Sequence, residues 1–182
     1  MGIFDIFRKK NNESHYDVND IRINDLAKGF VFDYNLETWL VVEEYVYDWG
    51  HNCFSKEFKI SNGTETRYLS FEEDDELLIC LSQKISVRSI QSNIPAYIGE
   101  NDCPPEKIEF EGVNYYLDEE SPGYFQTVGD GDDDWDELIS WGYYDKEMTK
   151  SLCIEQWDDR SFEASKGLML KEFEITNILP GS

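Results

Sequence analysis

Strand-like alternation dominates the chain from Phe30 onward and constrains its fold more than any other feature. The stretches ETWLVVEEYVYD, EFKIS and KIEFEGVNYYL are rich in β-branched and aromatic residues that alternate with polar ones. This period of two is typical of strands, and no segment of the body shows a long helical pattern. Asn62-Gly63 has the residues of a tight hairpin turn. The sequence therefore predicts an all-β fold of about ten mostly antiparallel strands, sandwich or barrel-like, after a short N-terminal helix or turn.

Two parts of the chain share a pattern. Leu69-Ser-Phe-Glu-Glu matches Leu152-Cys-Ile-Glu-Gln, and Trp39 with Glu43 four residues later matches Tyr115 with Glu119. Each part also contains a strand that begins with Glu, over 57–61 and 137–141. We therefore predict two internally repeated meander halves.

The predicted boundaries follow the breaks in this pattern. Residues 1–28 form an N-terminal segment that is weakly structured or a short helix. The first half covers 29–98 and the second covers 107–182, and the linker over 99–106 contains Pro104-Pro105, which interrupts both helices and strand ladders. The two halves are expected to share one compact domain.

The net charge of −23 excludes one class of partner. Nucleic-acid binding needs a basic footprint, which this chain lacks. The acid excess is explained either by solubility alone or by attraction of a basic protein, a polyamine or a divalent cation.

The cysteines and the first ten residues bear on localisation. The four cysteines form no Cys-x-x-Cys pair and no secretory signal is present, so we expect a cytoplasmic protein with free thiols. Residues 1–10 are apolar and then basic, which allows at most a peripheral membrane contact.

Four glutamates and the aromatic residues Trp39 and Tyr115 are candidate ligand-binding residues. By strict alternation Glu43 lies on one face with Trp39, and Glu119 on one face with Tyr115. A carboxylate on such a half-buried aromatic face has a raised pKa unless a hydrogen bond or a cation meets it. Two interpretations stay open, a glutamate bonded to a tyrosine hydroxyl or backbone N–H groups, and a ligand site between the halves.

Glu72 and Glu155 fall on the polar face of matched strands. This face is either solvated or part of the same cleft as Glu43 and Glu119.

The acidic loop DGDDDWDE is the candidate metal site. Counted from Asp130, the EF-hand positions for glycine and glutamate are occupied by tryptophans, so the calcium-loop motif fails. A looser oxygen-ligand site through Asp130, Asp132, Asp134 and Asp136 is the alternative to a solvated loop. The chain contains no phosphate-binding loop, dinucleotide fingerprint or nucleophile elbow, so we expect no cofactor.

Several motifs identify a family resemblance. The run from Gly29 to Gly50, G-x-V-F-x-Y-x-x-x-x-W-x-V-x-E-x-Y-x-Y-D-W-G, is followed by Y-Y-L-x-E at 115–119 and L-x-I-E-Q-W at 152–157. Together with the small residues of 164–167, these resemble the bacterial domain-of-unknown-function family 4178 over residues 26–180. The resemblance implies a β-rich domain without an established activity, and the acidic loop departs from it.

Two functions are consistent with these features. The first is a non-catalytic binding or interaction module, which should expose a contiguous apolar patch and enclose no polar pocket. The second is a ligand- or cation-binding protein or an enzyme, which should have a concave site with convergent carboxylates between the halves.

Overall fold

Eleven antiparallel strands build one sheet in the computed structural model, which describes residues 21–73, 77–129, 135–158 and 160–181. In chain order the strands are β1 (Val31–Tyr34), β2 (Glu37–Asp48), β3 (Phe54–Ser61), β4 (Thr66–Glu73), β5 (Leu77–Ile85), β6 (Lys107–Phe110), β7 (Val113–Thr127), β8 (Asp136–Tyr144), β9 (Lys150–Trp157), β10 (Phe162–Leu170) and β11 (Ile175–Leu179). The predicted all-β class is confirmed.

The sheet closes into a ring. Its strand order is β11-β1-β2-β3-β4-β5-β10-β9-β8-β7-β6, and β2 pairs additionally with β7. Eight strands, β2–β5 and β7–β10, therefore form a closed circuit, which leaves no free edge in that part of the sheet. The predicted hairpin turn after Ser61 connects β3 to β4, and the Asn62 side chain accepts hydrogen bonds from the backbone N–H groups of Thr64 and Glu65.

The two halves have the same order of strands. β1–β5 and β6–β10 are each a meander, and the pairs β5–β10 and β2–β7 join them. Trp39 lies opposite Phe32 across the first hairpin, and Tyr115 lies opposite Ile108 across the corresponding one. Each meander has five strands, with β5 and β10 as the last strand of its half.

Two short helices connect the meanders. They are α1 (Val87–Ile90) and α2 (Ile94–Asn101). The second overlaps the first residues of the predicted 99–106 linker, and the prolines follow it. Among the described residues, none of the helices has the length and apolar character that crossing a membrane requires. The predicted contact through residues 1–10 lies outside the described residues.

The apolar cores lie on the outer faces of the ring. The first core is covered by the 3₁₀ turn Ile23–Asp25, β1 and β11, and the second is covered by α1, α2 and β6. Phe58, Ile60 and Leu69 are fully buried in the first, and Trp141, Leu152 and Ile154 in the second. Since these side chains take the outward positions of the strands, the alternate positions point into the ring.

Candidate functional site

The interior of the ring is polar. Its residues are those that alternate with the core residues of each strand, and they include two glutamates in mid-strand, Glu57 of β3 and Glu155 of β9. Polar side chains of β5 and β10 complete it, among them Ser82, Lys84 and Glu163. Together they enclose a cavity of about 80 Å³, which has room for several water molecules.

Two β-bulges determine which residues face this interior. The pairing of β2 with β3 shifts between Val41 and Glu43, and that of β7 with β8 shifts between Leu117 and Glu119. Each extra residue reverses the alternation that follows it. Glu43 therefore faces the opposite side of the sheet from Val41, and the expected shared face with Trp39 is wrong.

The same reversal separates Glu119 from Tyr115. Trp39 and Tyr115 are buried in the first and second outer cores. The structure therefore places these two aromatic residues away from the interior, while Glu43 and Glu119 lie on its side of the sheet.

Glu57 and Glu155 are the most strongly perturbed carboxyl groups of the interior. Burial raises the pKa of Glu57 to about 7, although Lys84 and the Tyr47 hydroxyl lower it. Burial raises the pKa of Glu155 to about 8, and repulsion from Glu57 raises it further. Of the two interpretations of this face, a part in a cleft applies to Glu155, which lines the cavity, and a solvated position applies to Glu72, which is exposed on β4.

The hydrogen bonds of the two glutamates differ. The Tyr47 hydroxyl donates to Glu57 Oε1 at 3.2 Å. Glu155 has no hydrogen bond or ion pair within the described part of the chain, although it lines the cavity. A half-buried carboxyl group without a partner favours the uptake of a proton or of a cation.

Lys84 lines this cavity as its cation, although its side chain is 49% exposed. Its ammonium group donates to Glu163 Oε2 and lies 5.1 Å from the centre of the Tyr68 ring. Within the described lining, three carboxyl groups, Glu57, Glu155 and Glu163, thus share a single lysine. Since that lysine is bonded to Glu163, the other two depend on their own protons or on another cation.

Aromatic rings form one wall of the cavity. The centroid of Phe125 is 5.2 Å from Tyr45, 5.2 Å from Tyr47 and 5.4 Å from Trp157. Faces of such rings attract cations, and Lys84 over Tyr68 is an example within this interior. The wall therefore adds cation affinity to that of the carboxyl groups.

Glu43 and Glu119 have different surroundings. Glu43 accepts hydrogen bonds from the Tyr45 hydroxyl and from Lys59 Nζ, which together lower its pKa. Burial raises the pKa of Glu119, and repulsion from Glu72 adds to this. Neither lines the cavity of Glu57 and Glu155.

The acidic loop does not provide a described metal site. Asp130, Asp132 and Asp134 lie outside the described residues, and Asp136 is the exposed first residue of β8. Within the described ranges, no three His, Cys, Asp or Glu side chains are grouped so that they could hold a metal ion.

Two cysteines lie inside the ring beside serines. Cys80 Sγ is 3.3 Å from Ser151 Oγ, and Cys153 Sγ is 3.2 Å from Ser140 Oγ. Burial raises the pKa of both thiols. A raised thiol pKa disfavours the thiolate, so neither has the character of a nucleophile.

The sequence reasoning missed Glu57 and Lys84. Both lie on polar strand faces. The sequence pattern of such a face is the same whether the face contacts solvent or the inside of a ring, so it was interpreted as solvated. One signal in the sequence could have revealed them. Both halves have a polar strand face, and these two faces would become the inside of a ring if the halves paired with each other.

Comparisons with known proteins identify a family but assign no activity. The family model described as Domain of unknown function (DUF4178) matches residues 27–172. An uncharacterized protein of Aquifex aeolicus (strain VF5) is 26% identical over 175 residues, which are 96% of this chain and 94% of the relative. No solved structure gives a significant match.

Proposed function

This chain belongs to the family described as Domain of unknown function (DUF4178), and from the geometry of the ring we propose that it is a non-catalytic binding protein for a small organic ammonium group. The group would enter the interior cavity and take the position between Glu57 and Glu155. The resemblance of the two meanders supports an origin by duplication, with the cavity at the contact of the two halves.

One observation carries this proposal. Glu57 and Glu155 are enclosed in a cavity whose lining lysine is already bonded to Glu163. A bound ammonium group would supply the missing positive charge and a hydrogen-bond donor for Glu155. Without it, each carboxyl group keeps a proton up to an unusually high pH.

The cavity favours an organic cation over a bare metal ion. Aromatic rings line one side, and aromatic faces combined with carboxylates are the usual surroundings of alkylammonium ligands. A divalent ion would need several oxygen ligands, and the described residues contain no such group. The end of a polyamine is one ligand of this class. The four cysteines, all free thiols, support a cytoplasmic location.

Calorimetric titration of the full chain with propylammonium tests the proposal, with propanol as the uncharged control. We expect binding that strengthens between about pH 6 and pH 9, because the glutamates must release protons as the cation enters. Heats measured in buffers of different ionisation enthalpy should report that proton release.

The variants Glu155→Gln and Glu109→Gln form a matched pair for this titration. Glu109 is exposed on β6 outside the ring, so its variant should bind like the parent. Loss of binding in the Glu155 variant alone is the expected result. Equal binding in both, or equal binding of propanol, would refute the proposal.

A second candidate function, protein interaction, is favoured by the edge strand β11. In the described sheet β11 has a neighbour only on its β1 side. Leu179 and Leu40 lie in one row with Val31, and their side chains are 55% and 44% exposed. An extended partner peptide could add a strand there. Selection of peptides that bind the parent but not Leu179→Lys would support this function, and recovery of none would exclude it.

A further inference from the structure

A second, larger cavity adjoins the interior one. It is a groove of about 620 Å³ that lies between α1 and the ends of β5 and β10. Lys84, Glu163 and Ala164 line both cavities. The groove therefore reaches the interior at the ion pair of Lys84 with Glu163.

The groove is basic in a chain that is strongly acidic. Arg88 and Arg160 line it in addition to Lys84, and Glu163 is its one carboxylate within the described lining. Both arginines are exposed, and neither forms a salt bridge with another described residue. Two such guanidinium groups in one concave surface favour a carboxylate or a phosphate.

Ser86 and Ser161 also line this groove. Hydroxyls beside guanidinium groups are common contacts of anionic oxygens. The two adjoining cavities thus have opposite preferences, a cation in the interior and an anion in the groove.

Resting on the proposed function, we infer that the ligand is zwitterionic: its ammonium group occupies the interior, and an anionic group on the same molecule binds Arg88 and Arg160. A ligand with only positive charges would be repelled by these two arginines on entry. A ligand with both charges gains a second contact without a second association step.

Matched pairs of probes test this inference on the full chain. The acids β-alanine, γ-aminobutyrate and ε-aminohexanoate keep the ammonium group and differ in length, and each has a neutral amide as its control. We expect at least one acid to bind about tenfold tighter than its amide. Only the carboxylate of the acid can form charge-assisted hydrogen bonds with the two guanidinium groups, and a tenfold gain in affinity requires only about 1.4 kcal/mol. Aminopropyl phosphate in parallel distinguishes phosphate from carboxylate as the preferred anion.

The double variant Arg88→Gln, Arg160→Gln should remove the preference for the acid and leave the affinity for the amide unchanged. Lys146→Gln removes an exposed cation from the turn between β8 and β9 and should keep the preference. If the amides bind in a Glu155-dependent way but no acid binds more tightly, the inference fails while the proposed function stands. If neither amides nor acids bind, both fail.

Discussion

Glu43 and Glu119 occupy matched positions directly after the bulges of β2 and β7, yet they lie opposite different residues. Glu43 is paired across the strands with Lys59, and Glu119 with Gly142. The lysine and the Tyr45 hydroxyl lower the pKa of Glu43, whereas burial raises the pKa of Glu119. The same backbone geometry therefore holds one carboxylate charged and disfavours the charge of the other.

NMR titration of the side-chain carboxyl groups should resolve this difference. We expect the pKa of Glu43 below that of an ordinary glutamate and the pKa of Glu119 above it. Lys59→Met should raise the pKa of Glu43 in part, because the Tyr45 bond remains. Lys56→Met removes the neighbouring pair with Glu44 and should leave Glu43 unchanged. A Glu43 pKa that is insensitive to both variants would contradict the assignment.

The stability of the chain should fall as the pH rises from about 5 to 8. Glu57 and Glu155 have native pKa values of about 7 and about 8, against an ordinary value of 4.5. Between these values the native state holds more protons than the unfolded state, so the free energy of unfolding decreases with pH and levels off above about 8. The two shifts together limit the total decrease to about 8 kcal/mol.

Urea denaturation of the Glu155→Gln variant across the same pH range measures how much Glu155 contributes to the pH dependence of the free energy of unfolding. The variant should show a flatter profile and exceed the parent in stability at about pH 8, because it removes the buried charge. The exposed Glu109→Gln should reproduce the parental profile. Identical profiles for the parent and Glu155→Gln would show that Glu155 titrates normally.

The sequence predicted the strands because their signal is local. Period-two alternation, Asn62-Gly63 and the resemblance of the Trp39 and Tyr115 regions each depend on neighbouring residues. The alignment of 57–61 with 137–141 was wrong by three residues. It matches Lys59 with position 139, whereas the structure places Lys59 opposite Glu43 and Gly142 opposite Glu119. Turn lengths set this offset, and residue pattern alone does not define it.

The interior could not be predicted because it depends on long-range pairing and on two bulges. An extra residue at Val42 and at Asp118 leaves no mark in the pattern of side chains, yet it moves Glu43 and Glu119 to the other face. Closure of the ring by β2 and β7 then encloses faces that read as solvated. Glu155 was identified as a candidate for its match with Glu72, but its burial follows from closure.

Gly167→Ala should destabilise the seam of β10 with its neighbours. A Cβ atom there would lie 2.4 Å from Ser151 Oγ and 2.5 Å from Cys80 Sγ, both inside the ring. Such overpacking costs about 1–3 kcal/mol. Adding Ser151→Ala and Cys80→Ala should restore most of the loss, since both clashing atoms are then absent.

Gly99→Ala is the control for this substitution. Gly99 lies in α2, and a Cβ atom there would meet nothing within 4 Å. Alanine favours helix over glycine by up to about 1 kcal/mol, so this variant should be as stable as the parent or more so. Thermal denaturation compares the stability of the parent, the Gly167→Ala variant, its triple variant and the Gly99→Ala variant. A Gly167→Ala protein as stable as the parent would show that β10 packs differently.

Two buried tryptophans should respond differently to replacement by phenylalanine. Trp141 is buried in the second core, and its Nε1 donates to Glu120 Oε2 at 2.8 Å. Trp39 is buried in the first core, and its Nε1 has no hydrogen-bond partner among the described residues. Both substitutions lose ring volume, but only Trp141→Phe loses a hydrogen bond, whereas Trp39→Phe removes an unsatisfied donor. Trp141→Phe should therefore lower the free energy of unfolding by about 1–3 kcal/mol more than Trp39→Phe. Urea midpoints measured at one pH compare the two, and equal losses would place a partner at Trp39 Nε1.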